Sequence, residues 1–294
     1  SGLPAGFYTV VVADENGCSI NLTVEITTTE ELIVTNDEAW QIFYAGYGVS
    51  CFGQEDGTID ISVTGGTGNY TYTWDNDADT QDLENIGAGF YTVVVEDENG
   101  CSDGVTIEVT QTPEGIAVSH DESLDTFYAG YGVSCNGQSD GNIDLIVTGG
   151  TGNYTYEWTD ESETVISTEE DLSELGAGTY TVVVEDENGC PVSHEVTITE
   201  TEAMAISHDE SLDTFYAGYG VSCNGESDGS IDITVTGGTG NYTYTWDNDA
   251  DTEDLSGLPA GFYTVVVADE NGCSINLTVE ITTTEELIVT NDEA

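Results

Sequence analysis

Six aspartates stand at alternate positions in two short stretches of this sequence, the spacing with which calcium-binding loops present carboxylate oxygens. They are Asp75, Asp77, Asp79, Asp247, Asp249 and Asp251. Because Ca²⁺ prefers oxygen ligands, these side chains are the candidate metal ligands. The glycine and the bidentate glutamate of a standard calcium loop are missing, so a solvated acidic hairpin loop is the alternative interpretation. The sequence indicates no required cofactor, with Ca²⁺ as the candidate ligand.

Seven cysteines form a second set of reactive groups. None lies in a C-x-x-C pair, so a zinc ribbon or a thioredoxin-like motif has no support. Their wide and regular spacing instead indicates disulfides, which form in oxidising compartments. The sequence therefore predicts an extracellular protein.

The charge of the chain has a single sign. There are 58 acidic residues and no lysine or arginine, which gives a formal net charge of -58. Nucleic acid is excluded as a partner, since its phosphates are bound by Lys and Arg, and an anionic membrane surface repels such a chain. No apolar run approaches the roughly 20 residues of a membrane span. The expected small partners are therefore cations, divalent cations above all.

Catalysis has little support in the sequence. His120 and His208 occupy equivalent positions in a repeated segment, and His194 has no such counterpart. Neither G-x-S-x-G nor H-E-x-x-H occurs, and paired carboxylates are so common that they point to no particular acid–base site. We therefore do not expect an enzyme.

The reactive groups are distributed over a repeated unit of about 84 residues. The phrase N-Y-T-Y-x-W ends at Trp74, Trp158 and Trp246, and the phrase D-E-N-G-C recurs with nearly the same period. The expected units are repeat 1 (30–113), repeat 2 (114–201) and repeat 3 (202–285). Residues 1–29 are expected to be the C-terminal part of a preceding repeat, and residues 286–294 the first strand of the next.

The sequence also repeats with a longer period, which contains three of these units. Residues 1–39 are identical to residues 256–294, so three units form a triplet with a period of 255 residues. We therefore interpret the chain as a window on a longer, near-exact array. The odd cysteine, Cys18, then belongs to a unit whose first cysteine precedes Ser1, and a reactive or intermolecular thiol is the alternative.

Each unit is predicted to be β-structure throughout. Apolar and polar residues alternate over 58–64, 69–74, 90–96 and 105–109 of repeat 1, which is the period of half-buried strands. Gly-rich stretches and Asn-Gly pairs between them are turn signals. Several short strands in a unit of this length are typical of an immunoglobulin-like sandwich. The predicted fold class is all-β, with tandem immunoglobulin-like β-sandwich repeats and one intra-repeat disulfide each.

Pairing within each repeat would use both of its cysteines. The expected disulfides are Cys51–Cys101, Cys135–Cys190 and Cys223–Cys273. Each would close a loop of about 50 residues and contribute about 3–4 kcal/mol in the chain-entropy model. Such a cross-link would matter in a sandwich this small.

The aromatic segment 43–48 recurs at 127–132 and at 215–220. It could form a contact between units or an adhesive surface. The other interpretation, which we favour, is a loop that folds onto its own sandwich beside the disulfide.

Three phrases of repeat 1 resemble the SprB repeat. They are C-x-G-x-x-D-G-x-I-D at 51–60, V-T-G-G-T-G-N-Y-T-Y-x-W at 63–74, and G-A-G-x-Y-T-V-V-V-E-D-E-N-G-C at 87–101. The family is named after a large surface adhesin of gliding Bacteroidota. The resemblance implies a long cell-surface protein, exported by the type 9 system, whose repeats form a filament used in adhesion or gliding. The lack of Lys and Arg is not part of the family pattern.

Two functions compete on this basis. The leading one is structural: a stiff acidic spacer in an extracellular filament or adhesin stalk, used in surface attachment or gliding, with neighbouring copies of the same repeat as partners. The alternative is a calcium-dependent module that binds carbohydrate or a surface. Three units with similar cores and loops favour the spacer, since recognition sites are more often confined to one distinctive domain.

Overall fold

The computed structural model describes residues 2–37 and 43–290. Within these residues the regular structure consists of β-strands, together with a short 3₁₀ helix at Leu124–Thr126. The prediction of an all-β fold is therefore confirmed.

The strands follow the repeats. The chain begins with β1 (Gly6–Ala13) and β2 (Ser19–Ile26). The described part of repeat 1 contains β3 (Ile33–Asn36), β4 (Gly57–Ile59), β5 (Ile61–Thr64), β6 (Thr71–Trp74), β7 (Leu83–Ile86), β8 (Gly89–Glu96) and β9 (Ser102–Val109). Repeat 2 contains β10 (Ala117–His120), β11 (Gly141–Ile143), β12 (Leu145–Thr148), β13 (Thr155–Thr159), β14 (Val165–Ser167), β15 (Leu172–Leu175), β16 (Gly178–Glu185) and β17 (Pro191–Ile198). Repeat 3 contains β18 (Ala205–His208), β19 (Gly229–Ile231), β20 (Ile233–Thr236), β21 (Thr243–Trp246), β22 (Leu255–Leu258), β23 (Gly261–Ala268) and β24 (Ser274–Ile281).

The three repeats share one strand topology. In repeat 1, β3 pairs with β5, β4 pairs with β7, and β6, β8 and β9 form an antiparallel sheet in the order β6-β8-β9. Repeat 3 has the same pairs, β18-β20 and β19-β22, and the same sheet, β21-β23-β24. In repeat 2 the short insertion forms β14, which adds an edge strand to the larger sheet.

One buried tryptophan lies at the centre of each sandwich. Trp74, Trp158 and Trp246 are at most 2% exposed. Each indole N–H donates to a backbone carbonyl, as from Trp74 to Thr80 O at 2.8 Å, so the polar edge of the ring is satisfied inside the core. Alternate valines of the neighbouring strand pack against it, because successive side chains of a strand point to opposite faces of the sheet.

A tyrosine near the start of one strand closes each sandwich. Its hydroxyl donates to the carbonyl oxygen four residues earlier at 2.9–3.0 Å, in the pairs Tyr91–Gly87, Tyr180–Gly176 and Tyr263–Pro259. This is the tyrosine corner of the immunoglobulin fold. Together with the buried tryptophan, it makes each repeat an immunoglobulin-like β-sandwich.

The hairpin β1-β2 shows how far the other strands of a sandwich bury the valines of this hairpin. Its register is that of β23-β24, with which it shares its sequence. Val10 and Val12 are 53% and 61% exposed, whereas the equivalent Val265 and Val267 are fully buried by the other strands of repeat 3. At the other end, residues 286–290 form no strand, and residues 291–294 lie outside the described residues. The strand expected at 286–294 stays a prediction.

The chain divides into two compact units whose limits do not follow the repeats. The first consists of Ser1–Ile116, Thr148–Tyr154 and Glu185–Pro191. The second consists of Ala117–Val147, Thr155–Val184 and Val192–Ala294. The first unit therefore combines residues 1–29 and repeat 1 with the first three residues, one glycine-rich loop and one cysteine-containing turn of repeat 2. The domain limits expected from the sequence repeats stay a prediction.

Candidate functional site: disulfide junctions between repeats

Both disulfides of the described chain join one repeat to the next. Cys51 of repeat 1 is bonded to Cys190 of repeat 2 within the first unit, and Cys135 of repeat 2 is bonded to Cys273 of repeat 3 within the second. The two Cα atoms are 5.7 Å apart in both. The prediction of one disulfide inside each repeat is therefore wrong in its pairing. The pairs that do not form are Cys51–Cys101, Cys135–Cys190 and Cys223–Cys273.

Strand β9 explains why the two cysteines of repeat 1 cannot meet. Cys101 directly precedes β9, whereas the amides of Gly48 and Val49 donate to Thr110 O, just beyond its other end, at 2.9 and 3.2 Å. A strand of eight residues spans about 26 Å. Cys51 lies two residues from Val49, so its Cα stays far beyond the roughly 7 Å within which a disulfide can form.

Two short segments, present in each repeat, make the junctions. The cysteine loop (50–54, 134–138 and 222–226) follows the aromatic segment. The cysteine turn (97–101, 186–190 and 269–273) connects the last two strands of the sandwich, and residues 14–18 have the same sequence. A junction consists of the loop of one repeat and the turn of the following repeat.

A buried aspartate shapes each cysteine turn. Asp186 is 6% exposed, and its carboxylate accepts hydrogen bonds from the amides of Asn188, Cys190 and Thr151 at 3.0–3.1 Å. Asp269 accepts the equivalent three at 2.9–3.0 Å. The turn also requires a glycine, since Gly189 has a φ of 78°. These bonds hold the asparagine and the cysteine in a fixed position at the tip of the turn.

The cysteine loop is held equally firmly where the chain leaves its sandwich. The Ser50 amide donates to Asp56 Oδ1 at 3.0 Å, and the Gln54 amide donates to Cys51 O at 3.0 Å. Ser134 and Ser222 make the same bond to their aspartates. In repeat 3, the hydrogen bonds from Ser222 lower the pKa of Asp228 below its ordinary value. The carboxylate that organises the loop is therefore ionised over a wide pH range.

An asparagine hydrogen bond accompanies each disulfide. Asn188 Nδ2 donates to Ser50 O at 2.9 Å in the first junction. In the second, Asn271 Nδ2 donates to Ser134 O at 3.1 Å and to Tyr128 O at 3.2 Å. Each turn thus meets the preceding loop through one covalent bond and at least one polar contact that fixes its orientation.

Three cysteines of the described chain remain free and exposed: Cys18, Cys101 and Cys223. Cys101 ends the cysteine turn of repeat 1, and Cys223 lies in the cysteine loop of repeat 3. Hydrogen bonds, the largest effect coming from the Cys101 amide, hold the pKa of Asp97 in this turn below its ordinary value despite burial. The open turn is therefore organised in the same way as the two closed ones.

The aspartates predicted as metal ligands lie in hairpin turns, where the first of each set has a structural role. Asp75 Oδ2 accepts a hydrogen bond from the Thr92 amide at 3.0 Å, and Asp247 accepts the equivalent bond from Thr264 at 3.0 Å. Asp77 has a φ of 66° at the bend of its turn. Over residues 2–37 and 43–290, no three His, Cys, Asp or Glu side chains are arranged to hold a metal ion. The assignment of the six aspartates as metal ligands stays a prediction.

The aromatic segment is a loop that also touches the next repeat. Tyr44 and Tyr47 form an isolated bridge, and the Phe43 ring, 68% exposed, meets Tyr44 edge-on at 5.1 Å. In repeat 2, Tyr128 O accepts the hydrogen bond from Asn271 of the following cysteine turn. In repeat 2 the segment therefore makes a contact between units, which was the alternative interpretation, and supplies one acceptor to the junction.

A histidine pair in repeat 2 was not anticipated from the sequence. The His120 Nε2–H donates to Asp125 Oδ2 at 3.0 Å, since a carboxylate only accepts, and His194 Nε2–H then donates to His120 Nδ1 at 2.9 Å. Burial, and then the neighbouring His120, lowers the pKa of His194. The two histidines lie on β10 and β17, 74 residues apart in the sequence, so the sequence gave no signal of this contact.

The melting temperature of the chain should fall as the pH is lowered from 7.5 to 5.5. His194 has a pKa below 6.5 in the folded state, so the unfolded state binds more protons in this range and stability decreases with falling pH. The matched control is His194→Leu, the residue that repeat 3 carries at the equivalent position 277. Calorimetry should show a shallower pH dependence in this variant. An unchanged slope would rule out His194 as the cause.

The geometry assembled here is a covalent joint between neighbouring domains. It contains a disulfide, a buried carboxylate and an asparagine that donates a hydrogen bond across the joint. The described chain is therefore a tandem array of immunoglobulin-like sandwiches that are cross-linked from one repeat to the next.

A family model matches one segment of each repeat. The SprB repeat matches residues 49–79, 133–162 and 221–251. Each match begins at the cysteine loop and continues past the buried tryptophan. The match at three places along the chain confirms the resemblance to the SprB repeat that the sequence indicates.

Several solved structures are similar at low identity. An eight-domain immunoglobulin fragment of Down Syndrome Cell Adhesion Molecule shares 12% identity, with 96% of this chain and 40% of that chain covered and a TM-score of 0.36. A Ca²⁺-stabilised, ice-binding adhesin of an Antarctic bacterium shares 16% identity, with coverage of 94% and 80% and a TM-score of 0.33. The comparison with curated proteins found no match. Among the described residues, no helix has the length and apolar character needed to cross a membrane.

Proposed function

We propose that this chain is a load-bearing segment of an extracellular stalk, in which acidic sandwiches act as a spacer at a cell surface and take part in attachment or gliding. The role is structural and requires no catalysis. The SprB repeats support a place in a surface protein.

The observation that carries the proposal is the pairing of the disulfides. A disulfide inside a sandwich stabilises that sandwich alone, whereas Cys51–Cys190 and Cys135–Cys273 tie each repeat to its neighbour. The bond and the asparagine contact restrict rotation at the joint, which is what a spacer needs to keep its ends apart. The absence of Lys and Arg removes every trypsin site, which suits a protein exposed outside the cell.

Negative-stain imaging of the purified chain tests this proposal against a binding module. A stalk should appear as elongated particles of constant width, and it should become more strongly bent when the disulfides are reduced. Compact particles, or saturable binding of the isolated chain to a glycan array, would contradict the spacer and support the adhesive module.

We also propose that cations neutralise this chain diffusely rather than at built sites. With 58 acidic and no basic side chains, repulsion within the chain is strong and is screened by any salt. Ca²⁺ and Mg²⁺ at equal concentration should therefore raise the melting temperature by similar amounts. Asp75→Asn should not change this response. A Ca²⁺-specific increase that is lost in Asp75→Asn would instead establish a calcium site in the hairpin.

A further inference from the structure

The second junction has a groove beside its disulfide. The groove has a volume of about 440 Å³ and lies between the cysteine loop of repeat 2, the linker 199–204 and the start of β24. Both repeats contribute to it, and all of its residues belong to the second compact unit. We call it the junction groove, and its walls include Cys135, Asn136, Glu202, Met204, Cys273 and Ile275.

An aromatic side chain takes the corresponding place in the first junction. Phe52 is the counterpart of Asn136, and Gly115 is the counterpart of Ala203, which also lines the groove. Phe52 lies against Gly115, since a Cβ built on this glycine would be 3.6 Å from the Phe52 Cβ. Gly115 is partly buried, whereas Ala203 is exposed. The first junction therefore shows that a phenyl ring can pack between this loop and this linker.

The size and chemistry of the junction groove suit an aromatic ring with a cation beside it. A cavity of about 150 Å³ is enough for benzene, so the groove has room for a ring and a second side chain. Met204 and Ile275 supply apolar surface, and the thioether of a methionine makes favourable contacts with aromatic rings. Glu202 is exposed and places a negative charge in the wall of the groove.

We propose that the junction groove binds an extended segment of a different protein, which inserts an aromatic side chain beside Met204 and places a basic side chain against Glu202. The partner is a different protein because this chain has no Lys or Arg. A second copy would bring only more negative charge to a surface that already repels it. The first junction does not bind this segment, since Phe52 takes the place of the inserted ring. The site adds a point of attachment to the spacer and goes beyond the stalk function.

The single methionine of the sequence gives a direct readout of this site. Met204 lines the groove, so the methyl signal of the full chain labelled with ¹³C at methionine reports on its occupancy. The probe is a peptide of sequence Gly-Gly-Phe-Lys-Gly-Gly with blocked ends, added at low ionic strength. Its phenyl ring should shift the methyl signal in a saturable way. Binding should weaken several-fold at about 1 M salt, where charges are screened beyond about 3 Å.

Three further peptides test the chemistry of the partner. Replacing the lysine of the probe by glutamate should weaken binding by at least about tenfold, because like charges then face each other at Glu202. Replacing the phenylalanine by alanine should weaken it by at least about tenfold, because the apolar contact with Met204 is lost. The third peptide has the sequence of residues 126–132, which is aromatic but has no basic residue. Tighter binding of this peptide than of the probe would contradict a different protein as partner and point to a second copy.

Variants of the chain locate the binding site. Asn136→Phe should fill the groove as Phe52 does and weaken binding by at least about tenfold, since a packed site cannot admit a second ring. This change also removes the hydrogen bond from Asn136 Nδ2 to Thr201 O, so Glu202→Gln is the second test and should weaken binding several-fold without changing the shape of the groove.

Glu114→Gln is the matched control. The Glu114 carbonyl accepts from Gly150 N–H in the first junction as the Glu202 carbonyl accepts from Gly238 N–H in the second, so the two positions are equivalent. The control should bind the probe as the unaltered chain does. No saturable shift of the methyl signal, or equal affinity in all three variants, would overturn the proposal. Either result would leave the stalk function standing, because imaging of the single chain tests that separately.

Discussion

When it is stretched by its ends, the oxidised chain should be about 580 Å shorter than the reduced chain, and the loss of either disulfide alone should lengthen it by only about 100 Å, at about 3.5 Å per extended residue. Cys51–Cys190 alone would remove 139 residues from the path that carries the force, and Cys135–Cys273 alone would remove 138. The two spans overlap. With both bonds intact, the shortest covalent path crosses from Cys51 to Cys190, runs back along the chain to Cys135 and crosses to Cys273, so that only 55 of the 222 residues from Cys51 to Cys273 carry the force.

Single-molecule force spectroscopy of cysteine variants measures this directly. Cys51→Ser/Cys190→Ser and Cys135→Ser/Cys273→Ser should each lengthen the chain by only about 100 Å, at about 3.5 Å per residue, because one bond remains in each. The combination of all four substitutions should lengthen the chain by about 580 Å at about 3.5 Å per residue. Cys18→Ser is the matched control and should change nothing.

The same variants distinguish the two pairing schemes. Pairing within each repeat would hide three separate loops of about 50 residues. Replacing Cys51 and Cys190 would then open two of these loops and release roughly 350 Å at about 3.5 Å per residue. A gain of roughly 350 Å in that variant, in place of about 100 Å at about 3.5 Å per residue, would contradict the junctions between repeats and restore the intra-repeat scheme.

The fold could be predicted from the sequence because its signals are local. Alternation in Thr58–Thr64 and in Phe90–Glu96 identified strands, and glycines identified the turns between them. Gly65 shows why such residues are informative: it has a φ of 76°, and a Cβ there would collide with the Glu31 carbonyl. The buried tryptophan and the tyrosine corner recur once per repeat, so the period itself pointed to one sandwich per unit.

The disulfide pairing was mispredicted because it depends on where strands begin and end. Loop length alone allowed Cys51 and Cys101 to pair, since a loop of about 50 residues closes easily. The strand between Cys101 and Thr110 contradicts that pairing, and five of its eight residues were already predicted from the alternation at 105–109. Combining strand rise with the position of each cysteine would have placed the two thiols at opposite ends of one sandwich.

The prediction of metal ligands stays a prediction, but the structure shows a competing role for one of the aspartates. Three carboxylates at alternate sequence positions indicate a calcium loop only if all three side chains are free to point toward the ion. Asp75 instead accepts a hydrogen bond from the amide of Thr92, which lies on another strand. The sequence shows the spacing of the aspartates, but the competing backbone donor comes from a residue 17 positions away.

Replacing Asp269 by alanine should lower the free energy of unfolding of repeat 3 by about 3 kcal/mol or more. Its buried carboxylate accepts three amide hydrogen bonds, from Asn271, Cys273 and Thr239. Each buried donor left without a partner costs about 1–3 kcal/mol. The loss should appear as a lower midpoint in urea unfolding under oxidising conditions, where both disulfides are intact.

Asp269→Asn separates the contribution of the two carboxylate oxygens. In this variant the side-chain oxygen can still accept hydrogen bonds from the amides of Asn271 and Cys273, and only the bond from Thr239 is lost. The free energy of unfolding should therefore fall less than in Asp269→Ala. Glu270→Gln, on the exposed neighbour, should stay within about 0.5 kcal/mol of the unaltered chain. Equal and small effects of the alanine and asparagine variants would show that the carboxylate does not organise the turn. The disulfide would then be the bond that orders the turn. In that case, reduction of the unaltered chain should lower its stability as much as the substitution does.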